Sequence, residues 1–337
     1  MTVLLLGTRR SQLARTQSGL VADALTRHGH EVSLVEIVTE GDRSRAALAQ
    51  IGGTGVFVGA LRAALRTGEV DFAVHSLKDL PTEPEPDLVI AAIPMRVDPR
   101  DALVARDGLT LGELPAGAAI GTGSPRRAAQ LAALGLGHTV AEIRGNVDTR
   151  LGYVRDGVLD AVILARAGLV RLGLAEAITE TLDPLQMLPA AGQGALAVEC
   201  RADRPDLVAL LSVLDDPDTR ACVDAERAVL RTLEAGCTAP VGALAEVAEG
   251  QDGVEVFLRV FVGSQDGAIE LRRSMTGPLA DPRALGARLA TLVLDELADS
   301  GLAMSRPPAH IPASPRERGA TAERRALDPL PVTETPQ

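Results

Sequence analysis

Short apolar segments alternate with longer amphipathic segments through residues 2–77 of the chain. TVLLLGT is followed by SQLARTQSGLVADALTRHG, EVSLVEIV, GVFVGALRAALRTG and VDFAVHSL, which alternate between strand-like and helix-like periodicity. Strand, helix, strand and helix in this order predict a parallel sheet with helices packed on it. The same alternation restarts in AAIGTGSPRRAAQLAALG, TVAEIRGNVDTRLGYVRDG and DAVILARAGLVRLG. We therefore expect two α/β domains.

The segments between these repeats predict where the domains divide. Residues 82–101 are rich in Pro and charge, and we interpret them as a hinge or crossover. LPAAGQGALAVECR is an apolar run after a Pro-rich loop, so we expect a buried strand that returns to the first domain. We place the first domain at residues 1–95 with 195–215, and the second at residues 99–190.

A smaller α+β domain is expected at residues 218–304. It begins with the helix DTRACVDAERAVLRTLEAG, whose apolar face carries Cys222, Ala225, Val229 and Leu233. Gly236 suits the first position after this helix. The strands VEVFLRVFVGS and AIELRRSMTG and the helix DPRALGARLATLVLDELADSG follow. Residues 305–337 have charge and Pro without apolar periodicity, which predicts disorder.

Composition excludes several classes of partner. The net charge of −11 disfavours nucleic acid and anionic membranes, which bind through dense positive fields. Aromatic residues make up 1% of the chain, so base-stacking surfaces have little material. The opening MTVLLLGTRRSQ has an apolar run too short for a signal peptide or a membrane span, and the cytoplasm is the expected location. None of the five histidines has a metal-ligand spacing, so we expect no metal.

Lys78 and Asp79 directly follow the apolar strand FAVHSL, in DFAVHSLKDLPT. Ligands of open α/β sheets bind at the carboxyl ends of strands, where these two side chains are expected to lie. An exposed ion pair that closes the strand is the alternative. Lys78 is the only lysine among 34 basic residues, which favours a function for it.

Two predicted helix starts also follow strands. Ser11 is the expected N-cap beside Arg9 in GTRRSQLA, and Ser124 is the expected N-cap before Pro125 in GTGSPRR. Arg126 and Arg127 then lie in the first helical turn, where the helix dipole opposes positive charge. We therefore expect an anionic group to compensate them.

A third group of arginines lies near later turns. Arg144 and Arg150 flank the turn in IRGNVDTRL, where Asn146 or Asp148 can cap the next helix, and Arg171 follows the strand in ILARAGLVRLG. Guanidinium groups bind carboxylates with two hydrogen bonds. Any single arginine in this arginine-rich chain is more often a solvated surface residue. Their shared position after strands is the reason to group them.

The three cysteines are too far apart and too few for a disulfide framework. Cys200 ends an apolar strand and Cys222 lies on an apolar helix face, so both are expected to be buried. Cys237, in LEAGCTAPVG, is expected in an accessible loop, where a lone thiol is usually inert. His75 lies within the strand VHSL and is expected in the core.

Eight blocks in order resemble porphobilinogen deaminases, over residues 1–303. They are GTRRSQLA, GGTGVFV, DFAVHSLKDLPT, GTGSPRR, IRGNVDTRL, ILARAGLVRLG, LPAAGQGALAVECR and EAGCTAPVG. The resemblance implies two α/β domains similar to periplasmic binding proteins, with a cleft between them, and a third domain that carries Cys237. It implies a monomer that condenses four porphobilinogen molecules into hydroxymethylbilane, with release of ammonia.

The resemblance also implies a cofactor and residue roles. Cys237 matches the residue that holds a dipyrromethane through a thioether, and Asp79 matches the catalytic carboxylate. Loss of ammonia from porphobilinogen leaves a cation, which a fixed carboxylate stabilises. Each pyrrole bears an acetate and a propionate, which accounts for the arginines. The residues implied to bind cofactor and substrate are Arg9, Ser11, Lys78, Thr122, Ser124, Arg126, Arg127, Arg144, Gly145, Arg150, Gly168, Arg171 and Gln193.

One block departs from the family pattern. Many family members have GGKGLFVKEL where this chain has GGTGVFVGAL, so Thr54 and Gly59 replace two lysines. We interpret residues 41–55 as a glycine-rich lid over the cleft. Two alternatives stay open at this point: a two-lobed binding protein for an organic anion, without catalysis, and a thiol hydrolase that uses Cys237 with His75.

Overall fold

The computed structural model describes residues 3–38, 55–235, 239–250, 253–264 and 267–299. Residues Met1–Ala303 form one compact unit. The predicted disordered tail at 305–337 lies outside the described residues, as does the predicted lid at 41–55 except for its last residue. No helix in the described ranges has both the length and the apolar character needed to cross a membrane.

The strands of the described residues form three sheets. In chain order they are β1 Leu4–Arg9, β2 Val32–Ile37, β3 Phe72–Ser76, β4 Leu88–Ala92, β5 Asp101–Ala105, β6 Ala119–Thr122, β7 Thr139–Glu142, β8 Ala161–Ala165, β9 Glu180–Thr181, β10 Leu196–Arg201, β11 Val241–Gly250, β12 Gly253–Gly263 and β13 Glu270–Pro278.

The α-helices pack on these sheets. In chain order they are α1 Gln12–Arg27, α2 Gly55–Thr67, α3 Pro125–Ala133, α4 Val147–Arg155, α5 Arg166–Arg171, α6 Pro205–Leu211, α7 Pro217–Thr232 and α8 Pro282–Asp299.

The first lobe is built on a five-stranded sheet with the order β2-β1-β3-β10-β4. β1 is parallel to β2 and β3, as expected, whereas β10 is antiparallel to β3 and β4. The expectation of a parallel sheet was therefore only partly correct. The chain returns from the second lobe in the opposite direction, and it places β10 in the middle of the sheet. The return of LPAAGQGALAVECR to the first lobe is confirmed.

The second lobe repeats this plan with the order β7-β6-β8-β5-β9. β6 is parallel to β7 and β8, and β5 is antiparallel to β8 and β9. The carboxyl ends of β6, β7 and β8 therefore meet at one edge of the sheet. Each of the three strands leads into a helix, as the sequence pattern predicts.

The third lobe is an antiparallel sheet, β11-β12-β13, against which α7 and α8 pack. The two α/β lobes and the smaller α+β lobe confirm the expected fold class. β11 was not predicted as a strand, because the large apolar residues of VGALAEVAEG, Val241, Leu244 and Val247, recur every three residues and not every two. The exact domain boundaries given above stay a prediction.

The Pro-rich passage contains a strand as well as a crossover. β4 lies within residues 82–101 and forms the edge of the first sheet, which the sequence interpretation missed. The following residues, up to Arg100, lead directly to β5 of the second sheet. The passage is therefore one of the connections between the two α/β lobes.

The α7 helix ends earlier than the sequence suggested. Its C-cap is Leu233, and Glu234 takes the left-handed conformation with φ of 50°. The assignment of Gly236 to the first position after the helix was therefore wrong, and Gly236 itself lies outside the described residues. The apolar face of α7 is buried as predicted, with Val229 and Ala225 at 0% exposure.

Candidate functional site

A short 3-10 turn, Leu77–Asp79, follows β3 and presents the first pair of candidate residues. Leu77 is fully buried and its N–H donates to the Ala195 carbonyl at 3.1 Å, while the Leu80 N–H closes the turn onto the Leu77 carbonyl at 3.1 Å. This anchoring leaves Lys78 half-buried and Asp79 exposed. Both side chains lie at the carboxyl end of β3, where the sequence pattern placed them.

β1 ends beside β3, and it brings Arg9 and Ser11 to the same edge of the first sheet. Ser11 is the N-cap of α1, and its hydroxyl accepts a hydrogen bond from the Ala14 N–H at 3.3 Å. The predicted cap is confirmed. The edge therefore carries Arg9 and Lys78 on neighbouring parallel strands.

Three strand ends of the second lobe carry the other candidates. Thr122 ends β6, and its hydroxyl accepts from the Ser124 N–H at 3.2 Å; Ser124 is the N-cap residue of α3 but makes no side-chain cap hydrogen bond. Gly168 and Arg171 lie in α5, directly after β8. These residues share one edge of the second sheet.

The turn after β7 is built on Gly145. Its φ of +109° suits glycine, and a Cβ at this position would come within 2.8 Å of the Thr149 side chain. Arg150 donates its Nε–H to the Gly145 carbonyl at 2.9 Å, and Asn146 caps α4 through the Thr149 N–H at 2.9 Å. Arg144 is exposed and pairs with Glu142. Arg150 therefore lies closer to the protein interior than Arg144.

Arg126 and Arg127 form ion pairs with a buried carboxylate, that of Asp101 at the start of β5. Arg126 Nη2 and Arg127 Nη2 each lie 2.8 Å from an Asp101 oxygen. Arg126 also donates to the Leu188 carbonyl, and Arg127 donates to the Ile163 carbonyl at 2.9 Å. The two arginines are 3% and 5% exposed, and Asp101 is fully buried. The anion expected beside the two arginines is thus supplied by the protein itself.

Gln193 connects this group to the first lobe. Its Nε2 donates to Asp101 at 2.8 Å and to the Pro99 carbonyl at 2.7 Å, and its Oε1 accepts from Lys78 Nζ at 3.3 Å. We call Asp101, Arg126, Arg127 and Gln193 the Asp101 cluster. It ties the Leu77–Asp79 turn to the second lobe through one buried amide.

The pKa values of Asp101, within the cluster, and of Lys78, beside it, both differ from their ordinary values. Burial alone would raise the pKa of the Asp101 carboxyl, but Arg126 and Arg127 hold it below its ordinary value. Burial lowers the pKa of Lys78 to about 8, although Asp79 opposes the shift. Asp101 is therefore ionised at neutral pH, whereas Lys78 loses its proton at a pH slightly above neutral.

A small cavity of about 40 Å³ lies between the two α/β lobes, and Gln193 of the Asp101 cluster lines it. Four of the candidate residues line it: Lys78, Gly168, Arg171 and Gln193. Gln17 and Ser76 also line it and are hydrogen-bonded to each other at 3.0 Å, and sequence reasoning missed both. Nothing in the sequence marks Gln17, within α1, or Ser76, at the end of β3, as a residue of a functional site.

Arg171 reaches across this cavity. Its Nη2 donates to the Gly194 carbonyl at 2.8 Å, and burial lowers the pKa of the guanidinium to about 10. Its Nε–H is buried and has no acceptor among the described residues. Arg171 thus holds a positive charge and an unused donor beside the cavity.

The donor set suits a ligand with several carboxylates. Burial lowers the pKa of Arg150, and the charges of Arg127 and Arg144 lower it further, as a surplus of cations requires. Of the carboxylates described at these strand ends, Asp101 is bound by the buried arginines, Glu142 pairs with Arg144, and Asp79 is exposed. The residues present therefore fit a polycarboxylate pyrrole cofactor.

The described cysteines have no place in this site. Cys200 and Cys222 are buried, as predicted, and burial raises the pKa of their thiols to about 11 and about 12. His75 is buried as expected, with Nε2 3.2 Å from Glu199. Cys237 and Thr54 lie outside the described residues, whereas Gly59 is exposed on α2.

Two family models match the chain. The model "Porphobilinogen deaminase, dipyromethane cofactor binding domain" matches residues 4–209, and "Porphobilinogen deaminase, C-terminal domain" matches residues 220–295. The first match spans the strand ends described above, and the second spans α7 and the third lobe.

Curated relatives cover most of the chain. Porphobilinogen deaminase of Mycobacterium tuberculosis (strain ATCC 25618 / H37Rv) is 59% identical over 290 residues, which are 85% of this chain and 94% of the relative. Porphobilinogen deaminase 1 of Streptomyces coelicolor is 58% identical over 301 residues, 86% of this chain and 94% of the relative.

Solved structures with similar backbones include the methionine-binding protein MetQ, with a TM-score of 0.41, 13% identity, and coverage of 63% of this chain and 89% of MetQ. The lipoprotein Tp32 from Treponema pallidum has a TM-score of 0.40, 16% identity, and coverage of 63% of this chain and 89% of Tp32.

Proposed function

Because the chain belongs to the porphobilinogen deaminase family, we propose that it joins four porphobilinogen molecules on a dipyrromethane bound through a thioether to Cys237. It is a transferase of porphyrin and heme biosynthesis, and its first two lobes correspond to the family's dipyrromethane-binding domain. The observation that supports the proposal best is the meeting of Lys78, Gly168, Arg171 and Gln193 around one cavity.

Asp79 is proposed as the catalytic carboxylate. It follows a fully buried leucine in an anchored turn, so its backbone is fixed while its side chain is exposed at the site. Porphobilinogen becomes a cation when ammonia leaves, and a carboxylate held nearby stabilises that charge. The same carboxylate can move a proton at a pyrrole N–H.

The basic residues are proposed to hold the acetate and propionate groups. Direct contacts of Arg171 and Lys78 with carboxylates are supported by their position in the cavity lining and by the unpartnered, buried Nε–H of Arg171. Arg9, Arg144 and Arg150 extend this surface along the strand ends. The remaining proposed contacts come from Ser11, Thr122, Ser124, Gly145, Gly168 and Gln193.

Arg126 and Arg127 are proposed to act on anions through their charge and not through direct contact. Their guanidinium groups bind Asp101 and backbone carbonyls, and both side chains are buried. Two guanidinium groups against one carboxylate still leave one positive charge in excess. This charge favours anions in the cleft without a direct hydrogen bond.

Cys237 is proposed as the attachment site by its match to EAGCTAPVG. The raised pKa values of Cys200 and Cys222 support this choice, since the thiolate is the reactive form of cysteine. When bound, the dipyrromethane would supply the free terminal pyrrole carbon to which the first porphobilinogen is joined. The chain's own residues bind the carboxylates, orient the substrate and stabilise its cation.

The remaining proposals concern the cell and partners. We propose a cytoplasmic monomer, as the family resemblance implies. The net charge of −11 and the scarcity of aromatic residues support the further proposal that it does not bind nucleic acid. The alternative of a binding protein without catalysis is not favoured, because the family matches cover both the cofactor-binding part and the C-terminal part.

The function is tested by incubating the purified protein with porphobilinogen and measuring substrate loss and ammonia release together. We expect one ammonia for each porphobilinogen consumed, at a rate proportional to protein. Binding of porphobilinogen without ammonia release, by protein that carries the pyrrole adduct, would support the binding-protein alternative instead.

Lys78 predicts a pH dependence of substrate binding. Its pKa of about 8 means that the ammonium is charged at pH 7 and mostly neutral at pH 9. Loss of one charged donor to a carboxylate should raise KM by about tenfold across this interval. In the Lys78→Arg variant the charge persists, so KM should stay level. An equal rise of KM in both proteins would contradict the proposed contact.

A further inference from the structure

Helix α7 of the third lobe holds the backbone that immediately follows Asp79. Arg227 donates Nη1 to the Leu80 carbonyl at 2.9 Å and Nη2 to the Pro81 carbonyl at 2.6 Å. One turn later on the helix, Arg231 donates to the Thr82 carbonyl. Three successive carbonyls are thus bound by two arginines of a single helix.

Apolar packing strengthens the same connection. Leu77 and Leu80, on either side of Lys78 and Asp79, are 0% and 2% exposed and share one buried cluster with Val223 of α7. Beyond this cluster, residues 80–85 and α7 line a cavity of about 330 Å³. Arg227 and Arg231 both line this cavity, and their hydrogen bonds join the segment after Leu80 to the helix.

The same helix leads toward the proposed attachment site. α7 ends at Thr232, and Cys237 comes five residues later in the chain. A helix is a stiff element, so a group fixed to its side keeps a constant relation to its end. In the sequence, the helix that binds the backbone after Asp79 therefore directly precedes the proposed attachment site.

We propose that Arg227 is a positioning residue of the condensation reaction, which fixes the backbone after Asp79 to α7 and so sets the position of that carboxylate. This inference rests on the proposed roles of Asp79 and Cys237. Arg227 acts through backbone carbonyls and not on the substrate. A misplacement of about 1 Å at the reacting groups can cost roughly a hundredfold in rate, which is the scale on which such a support acts.

Arg220 provides a matched control on the same helix. It also donates to carbonyls of the first lobe, those of Ile90 at 3.2 Å and Ala91 at 3.4 Å. Both carbonyls belong to β4 and not to the Asp79 segment. Loss of Arg220 should therefore affect lobe contact without moving Asp79.

The experiment compares Arg227→Gln, Arg227→Lys and Arg220→Gln with the wild type, each with its pyrrole adduct verified by intact mass. Hydrogen exchange of peptides covering residues 77–82 is measured beside kcat, KM and thermal stability. For Arg227→Gln we expect faster exchange in these peptides and a fall in kcat of roughly tenfold to a hundredfold, with KM within about twofold. Arg227→Lys should recover most of kcat, since it can donate to the same carbonyls.

The outcomes separate this inference from the proposed function. Arg227→Gln with wild-type kcat and exchange, or a kcat loss equal to that of Arg220→Gln, would overturn the inference. An Asp79→Asn variant measured in the same series tests the function. If Asp79→Asn is inactive while Arg227→Gln is fully active, only the positioning role fails; if Asp79→Asn is fully active, the proposed chemistry fails.

Discussion

Replacement of Asp79 by asparagine should lower kcat by roughly a thousandfold. Asparagine keeps the size of the side chain but removes the negative charge that stabilises the substrate cation and the oxygen that accepts a proton. The turn itself should survive, because it is held by Leu77 and Leu80 and not by the Asp79 side chain. Initial rates of porphobilinogen consumption, on protein that carries the adduct, measure the effect.

Glu83 offers the control for this variant. It is an exposed carboxylate four residues further along the same segment, so Glu83→Gln removes an equal charge from the same surface. We expect its rate to stay within about twofold of the wild type, since exposed charges interact weakly through water. Similar rate losses in both variants would show that the general charge of the segment matters and that Asp79 is not the catalytic group.

Replacement of Asp101 by asparagine should lower the free energy of unfolding by about 3–5 kcal/mol. The variant leaves Arg126 and Arg127 buried without the carboxylate that both of them bind at 2.8 Å. A buried charge without its partner is far more costly than the loss of an exposed pair. Urea unfolding of the wild type and the variant measures the difference.

Asp203 is the matched exposed carboxylate. It pairs with Arg201 at 3.0 Å and its side chain is 73% exposed, so Asp203→Asn should cost at most about 1 kcal/mol. Equal losses for the two variants would contradict the structural role of the Asp101 cluster.

We also expect the stability difference between the wild type and Asp101→Asn to depend on pH. An unfolded aspartate has a pKa of about 3.9, and that of Asp101 is lower in the folded protein. Its contribution to stability is therefore present above about pH 4 and is lost as the pH falls further. The stability difference between wild type and Asp101→Asn should narrow in acid.

Local features of the site could be read from the sequence because they depend on neighbouring residues. The N-cap of Ser11, the turn after β3 and the arginines after β6 and β8 follow from strand and helix periodicity and from capping chemistry. These features placed Lys78, Asp79 and Arg171 at the ends of strands. In the structure, Lys78 and Arg171 line the same cavity between the two lobes.

Contacts between residues that are far apart in the sequence could not be predicted from local patterns. Asp101 is 25 residues from Arg126 in sequence, and DPRDA predicts a loop acid as readily as a buried ion pair. β10 joins the first sheet only after the whole second lobe, and no local signal gives its antiparallel direction. The pairing of Arg227 with the Asp79 segment spans 147 residues.

The resemblance supplied what neither periodicity nor geometry gives, which is the chemical role of Cys237. By position alone it was an accessible thiol in a loop, and it lies outside the described residues. The structure bears on it only indirectly, through a cation-rich cleft and two other thiols that are buried. The attachment therefore has to be tested by its own chemistry.

Intact mass spectrometry of the purified protein tests this attachment most directly. The mass should exceed that of the polypeptide by two linked pyrrole units, in the wild type and in Cys200→Ala and Cys222→Ala. In Cys237→Ala the excess should be absent. A bare polypeptide mass in wild-type protein that consumes porphobilinogen, or an adduct that persists in Cys237→Ala, would contradict the proposal.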